Sequence, residues 1–439
     1  MLSYYLDLAL RSLKRNTALT ALMVLAIALG IGASMTTLTV LHVLSGDPLP
    51  QRSDKVYRPQ LDPQDMRGMG VDMGPGTEPP MQVTLVDGRN LLHAGRADRQ
   101  ALMTGGSVPV QPRDASLAAF FVPSMYTSAD FFAMFGVPFQ YGHGWSAADD
   151  AAHARVVVIS AELNQKLFGG ADSVGRDLRI AGKTFRIAGV IDNWRPNLHF
   201  YNLSAGTYRH YDQVFVPLDA ALDLALSRNG STNCWGNGSG GVGRILPSDT
   251  CTWLQFWVEL DNPAKAAAYR QFLVNYSQQQ HALGRFERAP NVRLRNLTEW
   301  LDYRGVVPQD VRMQTWLAFG FLLVCLLNTV GLMLAKFLRR AGELSVRRAL
   351  GASRRALFGQ LLVESGVVGI AGGVLGLGLA LLGLWLVRSR PSNYAAMAHL
   401  DGAMLLTTFV LALLASLVAG TLPAWRACRV MPALQLKSN

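Results

Sequence analysis

Four long runs without a charged residue are the strongest constraint in this sequence of 439 residues. Each run can cross the hydrocarbon core of a bilayer, which takes about 20 apolar residues in a helix. A signal peptide is the alternative for the first run, but its apolar segment would be only about 7–15 residues long. The sequence therefore predicts four membrane spans, from the runs Thr17 to Leu44, Met313 to Ala335, Ser365 to Val387 and Gly402 to Trp425.

The positive charge of the chain lies beside these runs. The net charge is +11, yet acidic and basic residues are equal in number between Gly46 and Arg312. Three basic residues precede the first span, seven lie from Lys336 to Arg355, three follow the fourth span, and two separate the third from the fourth. Lys and Arg are enriched in cytoplasmic loops, so we expect both termini and the middle loop in the cytoplasm. A basic face for nucleic acid is not indicated.

These signals divide the chain into nine segments, in which the block between the first two spans is the largest. We expect an amphipathic helix at 1–16, spans at 17–44, 313–335, 359–387 and 402–425, a folded domain on the far side of the membrane at 46–312, a cytoplasmic loop at 336–358, a short loop on the far side at 388–401 and a cytoplasmic tail at 426–439.

The large block alternates short strand patterns with helices, which predicts an α+β domain. Expected helices include one capped by Ser128, one capped by Ser160, and a longer one from Pro263 to about Ala282. A helix from Leu297 should run towards the second span, interrupted by Gly305 and Pro308. The strand candidates are Met81 to Val86, Phe120 to Ser124, Val156 to Ser160, Leu178 to Val190 as a hairpin, Val214 to Leu218, Leu254 to Leu260 and Val292 to Leu297.

Two cysteines of this block, Cys234 and Cys251, enclose a glycine-rich stretch. In an oxidising compartment they predict a disulfide that stabilises the fold by about 3 kcal/mol. Two free thiols are the alternative. Cys325 lies within a span and Cys428 near its cytoplasmic end, so neither is expected to pair.

Signatures of catalysis are not found. The tripeptide Gly182-Lys183-Thr184 lacks the earlier glycine of a phosphate-binding loop, because residue 177 is Asp. The histidines have no metal-site spacing, and Ser353 is not in a nucleophile elbow. We therefore predict no catalytic residue, no metal site and no cofactor bound by this chain. Within the spans, Glu364 is expected to bond to the basic loop and Asn328 to another helix.

Small residues recur at every fourth position in the spans. This spacing lets helix backbones approach closely, within the chain or between two copies. The predicted packing residues are Ala26, Gly30, Ser34, Gly369, Gly372, Gly373, Gly376, Ala412, Ser416 and Gly420.

The loop between the second and third spans reads FLRRAGELSVRRALGASRRALFGQLLVES, from Phe337 to Ser365. Its residues predict a helix, a turn and a second helix in that order. Glu343 and Arg347 form a pair one helical turn apart, Gly351 ends that helix, and Ser353 can cap the next one. This loop resembles the one in FtsX-like ABC transporter permeases of the MacB type. The stretch Val156 to Ile191 and the C-terminal GTLPAWRACRVMPALQLK are also similar to that family.

The resemblance implies a permease of a bacterial inner membrane, with a periplasmic core domain at 46–312 and a cytoplasmic coupling loop at 336–358. It implies that this permease pairs as a homo- or heterodimer and docks on an ATPase carrying ATP and Mg²⁺. Since this sequence starts at the first span, the ATPase is expected to be a separate chain. It further implies efflux of a peptide, antibiotic or other amphiphile by mechanotransmission, with a periplasmic adaptor and an outer-membrane channel. The alternatives are a lipoprotein-releasing permease of the LolC/LolE kind and an FtsX-like regulator of a cell-wall hydrolase. The docking residues implied are Arg339, Glu343, Leu344, Arg347, Arg348, Gly351, Ala352 and Ser353.

Overall fold

A computed structural model of the chain describes residues 5, 7–9, 11–12, 16–66, 78–112, 118–196, 198–206, 211–235, 249–307, 309–389 and 402–429. Two compact units are present. The middle unit is Asp47–Val306, and the helical unit combines Met1–Gly46 with Val307–Asn439. The predicted loop at 388–401 and the end of the predicted tail lie almost entirely outside the described residues, as does much of 1–16, of which Tyr5, Asp7 to Ala9, Arg11 and Ser12 are helical.

The helices of both units are long in the outer parts of the sequence and mostly short in the middle. They are α1 (Thr17–Ser45), α2 (Leu85–Ala94), α3 (Phe131–Met134), α4 (Ala147–Ala151), α5 (Ala161–Phe168), α6 (Leu218–Asp223), α7 (Pro263–Ala282), α8 (Leu297–Tyr303), α9 (Gln309–Arg339), α10 (Ala341–Ala349), α11 (Arg354–Ser389) and α12 (Gly402–Arg429).

The strands found among the described residues belong to the middle unit. They are β1 (Val56–Gln60), β2 (Arg99–Gln111), β3 (Phe120–Thr127), β4 (Phe139–Gly142), β5 (Val156–Ser160), β6 (Asp177–Ile180), β7 (Lys183–Ile191), β8 (Val214–Pro217), β9 (Asn233–Cys234), β10 (Cys251–Thr252), β11 (Gln255–Glu259) and β12 (Arg293–Asn296).

Four helices of the helical unit, α1, α9, α11 and α12, are long and apolar enough to cross a membrane. Helix α1 packs most extensively against α11 and α9, and α11 also packs on α12. Ile27 and Ile31 of α1 are fully buried, whereas Leu22, Trp316 and Leu406 are exposed on the outside of the bundle. An apolar exterior of this kind fits a surface that faces lipid.

Small residues make these contacts close. A Cβ added to Gly369 would lie 2.3 Å from Ser416 Cβ, and one added to Gly373 would lie 2.8 Å from Ala412 Cβ. Nine of the ten predicted packing residues are buried within this single chain, and Ala26 is half-buried. The small-residue stripes are therefore used by packing inside the chain.

The middle unit is built on a mixed sheet of ten strands. Its order is β12-β1-β11-β2-β3-β8-β5-β7-β4, with β6 paired to β2 and β7. Strands β11 and β12 both lie antiparallel to β1, which separates them, and α7 connects them. These two strands and the helix between them thus form a split βαβ unit. The predicted fold class, four membrane helices with an α+β domain between the first two, is confirmed.

Two buried clusters hold the middle unit together. One is largely aliphatic and includes Val108, Ile159 and Leu273. The other is aromatic, with Phe131 packed edge-on against Phe135 and Tyr201 at ring distances of 5.0 and 5.3 Å. Aromatic pairs in this geometry contribute more than their buried area alone.

Predictions that rest on a short stretch of sequence are confirmed for two helices of the middle unit. Ser160 caps α5 by accepting a hydrogen bond from the Leu163 amide, and α7 spans Pro263–Ala282 as expected. The predicted strand Met81 to Val86 is wrong, because Thr84 caps α2, which begins at Leu85. Ser128 does not cap α3 either: its hydroxyl donates to Gln100 O and accepts from Leu102 N in β2.

Near the end of the middle unit, the helical path from Leu297 is broken. Helix α8 ends at Tyr303, Gly305 has a left-handed backbone with φ of 57°, and α9 begins at Gln309. Glycine adopts this conformation readily, whereas other residues are strained there. The expectation of an interruption at this position therefore matches the structure.

Cys234 and Cys251 are bonded to each other and lie opposite one another in the β9-β10 pair. Cys325 is a buried free cysteine of α9. The glycine-rich stretch between the bonded cysteines lies mostly outside the described residues.

Candidate coupling site

The loop between the second and third spanning helices folds into a short helix and a tight turn. Helix α10 begins directly after Arg340 and is followed by Leu350 and by Gly351, whose φ is 96°. The Ser353 hydroxyl accepts a hydrogen bond from the Ala356 amide at 3.2 Å and so caps α11. The helix, glycine and serine predicted from the sequence are present in that order.

Helix α10 has a buried face and an exposed face. Leu344 is 4% exposed and packs in the core of the helical unit. On the opposite side, Val346 is 53% exposed and Leu350 is 83% exposed. Val346 of α10 and Leu350, one turn further on and directly after the helix, form a small exposed apolar patch that a protein partner could cover.

The implied docking residues are not equally available to a partner. Leu344 faces the core. Arg339, Gly351 and Ser353 are exposed, and Glu343, Arg347, Arg348 and Ala352 are half-buried. The motif had not indicated Val346 and Leu350. Their spacing of four residues would have placed them on one face, but only the packing of Leu344 shows that this face is the outer one.

Glu343 links a residue of α10 with the residue directly before the helix. It accepts a hydrogen bond from Arg347 Nη2 at 2.9 Å and forms an ion pair with Arg340 at 3.2 Å. Arg347 Nη1 also donates to Gln360 Oε1 of α11, at 3.2 Å. Because Gln360 is buried, the position of α10 is tied to the third spanning helix.

Glu364 is the centre of a buried charge cluster below α10. Its Oε1 forms an ion pair with Lys336 Nζ at 2.6 Å. Its Oε2 lies 3.2 Å from Arg340 Nη1. Ser12 donates to Glu364 Oε1 at 2.5 Å and accepts from Arg340 Nη1 at 2.6 Å. The sequence expectation that Glu364 bonds to the basic loop agrees with these contacts.

This cluster joins four parts of the helical unit through Glu364, Lys336, Arg340 and Ser12. They come from the third spanning helix, the end of the second, the start of α10 and the N-terminal segment. A buried carboxylate is stable only with well-placed charged or hydrogen-bonding partners. A displacement of any one part would break an ion pair or a hydrogen bond of the cluster, so the cluster favours movement of these parts together.

Asn328 differs from its predicted role. It is exposed on α9, and within the described part of the chain no hydrogen bond to another helix is found for it. A polar side chain on an apolar spanning helix is unfavourable against lipid.

A group of ionisable side chains suited to a metal is not found among the described residues. The coupling site presents an exposed apolar pair with arginines around it, and a buried charge cluster lies beside them.

Four apolar helices long enough to cross a membrane, with a large α+β domain inserted after the first, define a class of multispan membrane proteins with one large domain between the first two spans. A family model of the MacB-like periplasmic core domain matches residues 20–275, and one of the FtsX-like permease C-terminal region matches residues 316–432. The chain belongs to this MacB-like, FtsX-like ABC permease family.

Relatives of this chain include two proteins described as macrolide export ATP-binding/permease protein MacB. The one from Wolinella succinogenes is 24% identical over 71% of this chain and 43% of its own length. The one from Rhodopirellula baltica is 23% identical over 49% of this chain and 31% of its own length. The chain thus spans less than half the length of these relatives.

Among solved structures, the periplasmic region of MacB from Actinobacillus actinomycetemcomitans matches with a TM-score of 0.37 and 12% identity. The match covers 59% of this chain and 96% of that region. The extracellular domain of the YknZ transporter from Gram-positive bacteria matches with a TM-score of 0.34 and 11% identity, over 54% of this chain and 99% of that domain.

Proposed function

We propose that this chain is the membrane subunit of an ABC transporter in which a separate ATPase chain, carrying ATP and Mg²⁺, docks on α10. The observation that carries the proposal is the exposed pair Val346 and Leu350 on a helix whose other face is held by charges and apolar packing. A helix positioned in this way can pass a push from a partner to the spanning helices. The chain itself supplies no catalytic residue to the hydrolysis.

The proposed orientation puts both termini and α10 in the cytoplasm and the middle unit in the periplasm of a bacterial inner membrane. The concentration of basic residues from Lys336 to Arg355 and next to the termini supports it. The Cys234–Cys251 disulfide is consistent with an oxidising compartment for the middle unit.

We propose that two permease chains pair in the membrane. Asn328 supports this pairing, because its exposed amide would be paired in an interface and unpaired in lipid. The small-residue stripes do not supply that surface, since their contacts are made within one chain.

The work of the transporter is proposed to be efflux of a peptide, antibiotic or other amphiphile by mechanotransmission, together with a periplasmic adaptor and an outer-membrane channel. The buried charges of the spanning helices are concentrated at the end near α10. This distribution supports a mechanism in which the helices move and the substrate takes no polar path between them. Lipoprotein release and regulation of a cell-wall hydrolase would use the same coupling. The proteins that co-purify with the chain would distinguish the three.

The coupling proposal is tested by the double variant Val346→Asp/Leu350→Asp, with co-purification of the ATPase and ATP turnover as readouts. Both side chains are exposed, so we expect normal membrane insertion together with loss of the ATPase. Leu283→Asp is a matched control, since Leu283 is 71% exposed in the middle unit. Unchanged ATPase binding and turnover in the double variant would refute docking on this face.

A further inference from the structure

A cavity of about 490 Å³ opens in the middle unit beside α8. Its wall includes β1, β11 and the residues just before α2, and its volume lies in the range of pockets that take small molecules. The charged residues in the lining are Arg58, Glu78 and Arg304. No function described above uses this cavity.

Arg58 is an unusual residue for a protein interior because it is 2% exposed and lacks a carboxylate partner among the described residues. Its guanidinium lies between two indole rings, 5.1 Å from the centre of Trp257 and 4.6 Å from that of Trp300. Its Nη2 donates to Met81 O at 2.7 Å and to Gln255 Oε1, while Nε has no partner. A buried cation is normally paired with an anion.

Arg304 adds a second positive charge to the same wall. Its guanidinium lies 5.7 Å from the centre of the Trp300 ring, and its Nε is buried without a hydrogen-bond partner. Burial and the nearby charge of Arg304 lower the pKa of Arg58 to about 9, and burial lowers the pKa of Arg304. An anion placed between them would offset both the desolvation and the repulsion.

Glu78 does not neutralise these arginines, because it is paired elsewhere. Both of its carboxylate oxygens accept hydrogen bonds from Arg295 Nη2, at 2.8 and 2.9 Å, and Arg293 lies 3.7 Å away. The charge balance of the cavity wall is therefore positive.

The remaining wall is partly apolar and aromatic. Pro79, Pro80, Met81 and Leu203 line it together with Trp300 and Tyr303. Trp300 is 2% exposed, and its indole Nε1 has no hydrogen-bond partner. Unpaired donors next to apolar surface fit a ligand that carries an acceptor group on an apolar body.

We propose that this cavity binds a small amphiphile through its anionic group, a carboxylate or a phosphate, with Arg304 and Arg58 holding the charge and Trp300 and Tyr303 contacting the apolar part. The site does not depend on the proposed coupling to an ATPase. It gives the middle unit a preference for anionic over neutral or cationic ligands.

The test uses the full-length chain in nanodiscs of zwitterionic phosphatidylcholine without any ATPase, with binding measured by isothermal titration calorimetry. The probes are phenyl phosphate and phenylacetate, with 2-phenylethanol and phenethylamine as neutral and cationic analogues. We expect at least one anion to bind ten-fold or more tightly than both analogues. The two anionic arms show whether the phosphate or the carboxylate is the group recognised.

Arg304→Gln is the decisive variant, because Arg304 is partly exposed and can be replaced without emptying the core. We expect it to weaken anion binding at least ten-fold and Arg304→Lys to weaken it less, with the unfolding temperature preserved in both. Arg179→Gln, at an exposed arginine of β6, is the matched control and should bind like the original chain. Equal binding of 2-phenylethanol and the anions, or unchanged binding in Arg304→Gln, would overturn the proposal.

Discussion

Lys336 Nζ and Glu364 Oε1 lie 2.6 Å apart in the helical unit, with side chains only 1% and 2% exposed. Both residues belong to helices long enough to span a membrane, so neither charge can be hydrated as it would be at a protein surface. Arg340, the residue before α10, is the second cation on Glu364. A partner that moves α10 would therefore act on a buried ionic contact of this unit.

Removal of the Glu364 carboxylate should be strongly destabilising. In Glu364→Ala the charges of Lys336 and Arg340 lose their shared buried partner, which typically costs about 3–5 kcal/mol. We expect a clear fall in the unfolding temperature of the detergent-solubilised chain. Asp7→Ala breaks the exposed Asp7–Arg11 pair and serves as a control with little expected change. Equal unfolding temperatures for the two variants would contradict a structural role for the buried cluster.

Two glycines of α11 offer a matched test of helix packing. A Cβ at Gly369 would lie 2.3 Å from Ser416, whereas nothing lies within 4 Å of one at Gly378. Gly369→Ala should therefore lower stability by separating α11 from α12. Gly378→Ala should be neutral or stabilise by up to about 1 kcal/mol, because alanine favours helix. Thermal unfolding of the two variants measures the difference, and a neutral Gly369→Ala would show that the contact is not close.

The proposed pairing through Asn328 can be tested by cross-linking. In a chain with Cys325 and Cys428 replaced by Ala, Asn328→Cys should give oxidised dimers in native membranes. Leu381→Cys, on an exposed position of α11, controls for random collision. Dimer bands of equal strength from both positions, or from neither, would argue against an interface at Asn328.

A pH effect is expected from Asp150, whose carboxylate accepts from Ala129 N and Trp145 Nε1 at 2.6 and 2.7 Å. Burial raises the pKa of Asp150 from 3.8 to about 6. Between these values the folded chain binds more protons than the unfolded chain, so the contribution of Asp150 to stability falls as the pH rises from about 4 to 6. Asp150→Asn should remove this part of the pH dependence, with a slope no greater than about 1.4 kcal/mol per pH unit.

The comparison of unfolding curves from pH 4 to 7 measures that difference directly. Asp149→Asn is a suitable control, because hydrogen bonds from Ser146 lower the pKa of Asp149 and shift its effect to more acidic pH. Identical pH profiles for the original chain and Asp150→Asn would contradict the assignment.

The Cys234–Cys251 bond should stabilise the middle unit by restricting its unfolded state. A closed loop with a sequence separation of 17 corresponds to about 3 kcal/mol. Replacement of both cysteines by Ala should therefore lower the unfolding temperature. Thiol labelling of the unreduced, denatured chain should modify only Cys325 and Cys428, and labelling at Cys234 would show that the bond does not form in the cell.

The long central strand β2 shows why a local pattern can mislead. It contains Gly105, Gly106 and Pro109, residues that weaken a strand prediction. The structure explains why two of these positions are glycine. A Cβ at Gly105 would lie 2.7 Å from Asn202 Nδ2, and one at Gly106 would collide with the Tyr126 hydroxyl. These contacts come from distant parts of the chain and are not visible in the neighbouring sequence.

Features that depend on a short stretch of chain were predictable. The spans follow from runs of uncharged residues, which is a property of each run alone. Helix α7 follows from Asn262 as its cap and Pro263 as its first residue. The turn after α10 follows from Gly351 and Ser353, whose backbone and side-chain preferences act within a few residues.

By itself, the sequence determined that this chain enters the membrane four times, that a folded α+β domain separates the first two spans, and that a helix and turn lie among the basic residues of the loop. Only the tertiary structure decided which face of α10 points outward, which cations surround Glu364, and that Arg58 lies beside a cavity and has no carboxylate partner among the described residues. The reason is physical. Chain propensity and hydrophobic transfer act on local segments, whereas charge pairing and burial depend on residues that folding brings together from far apart.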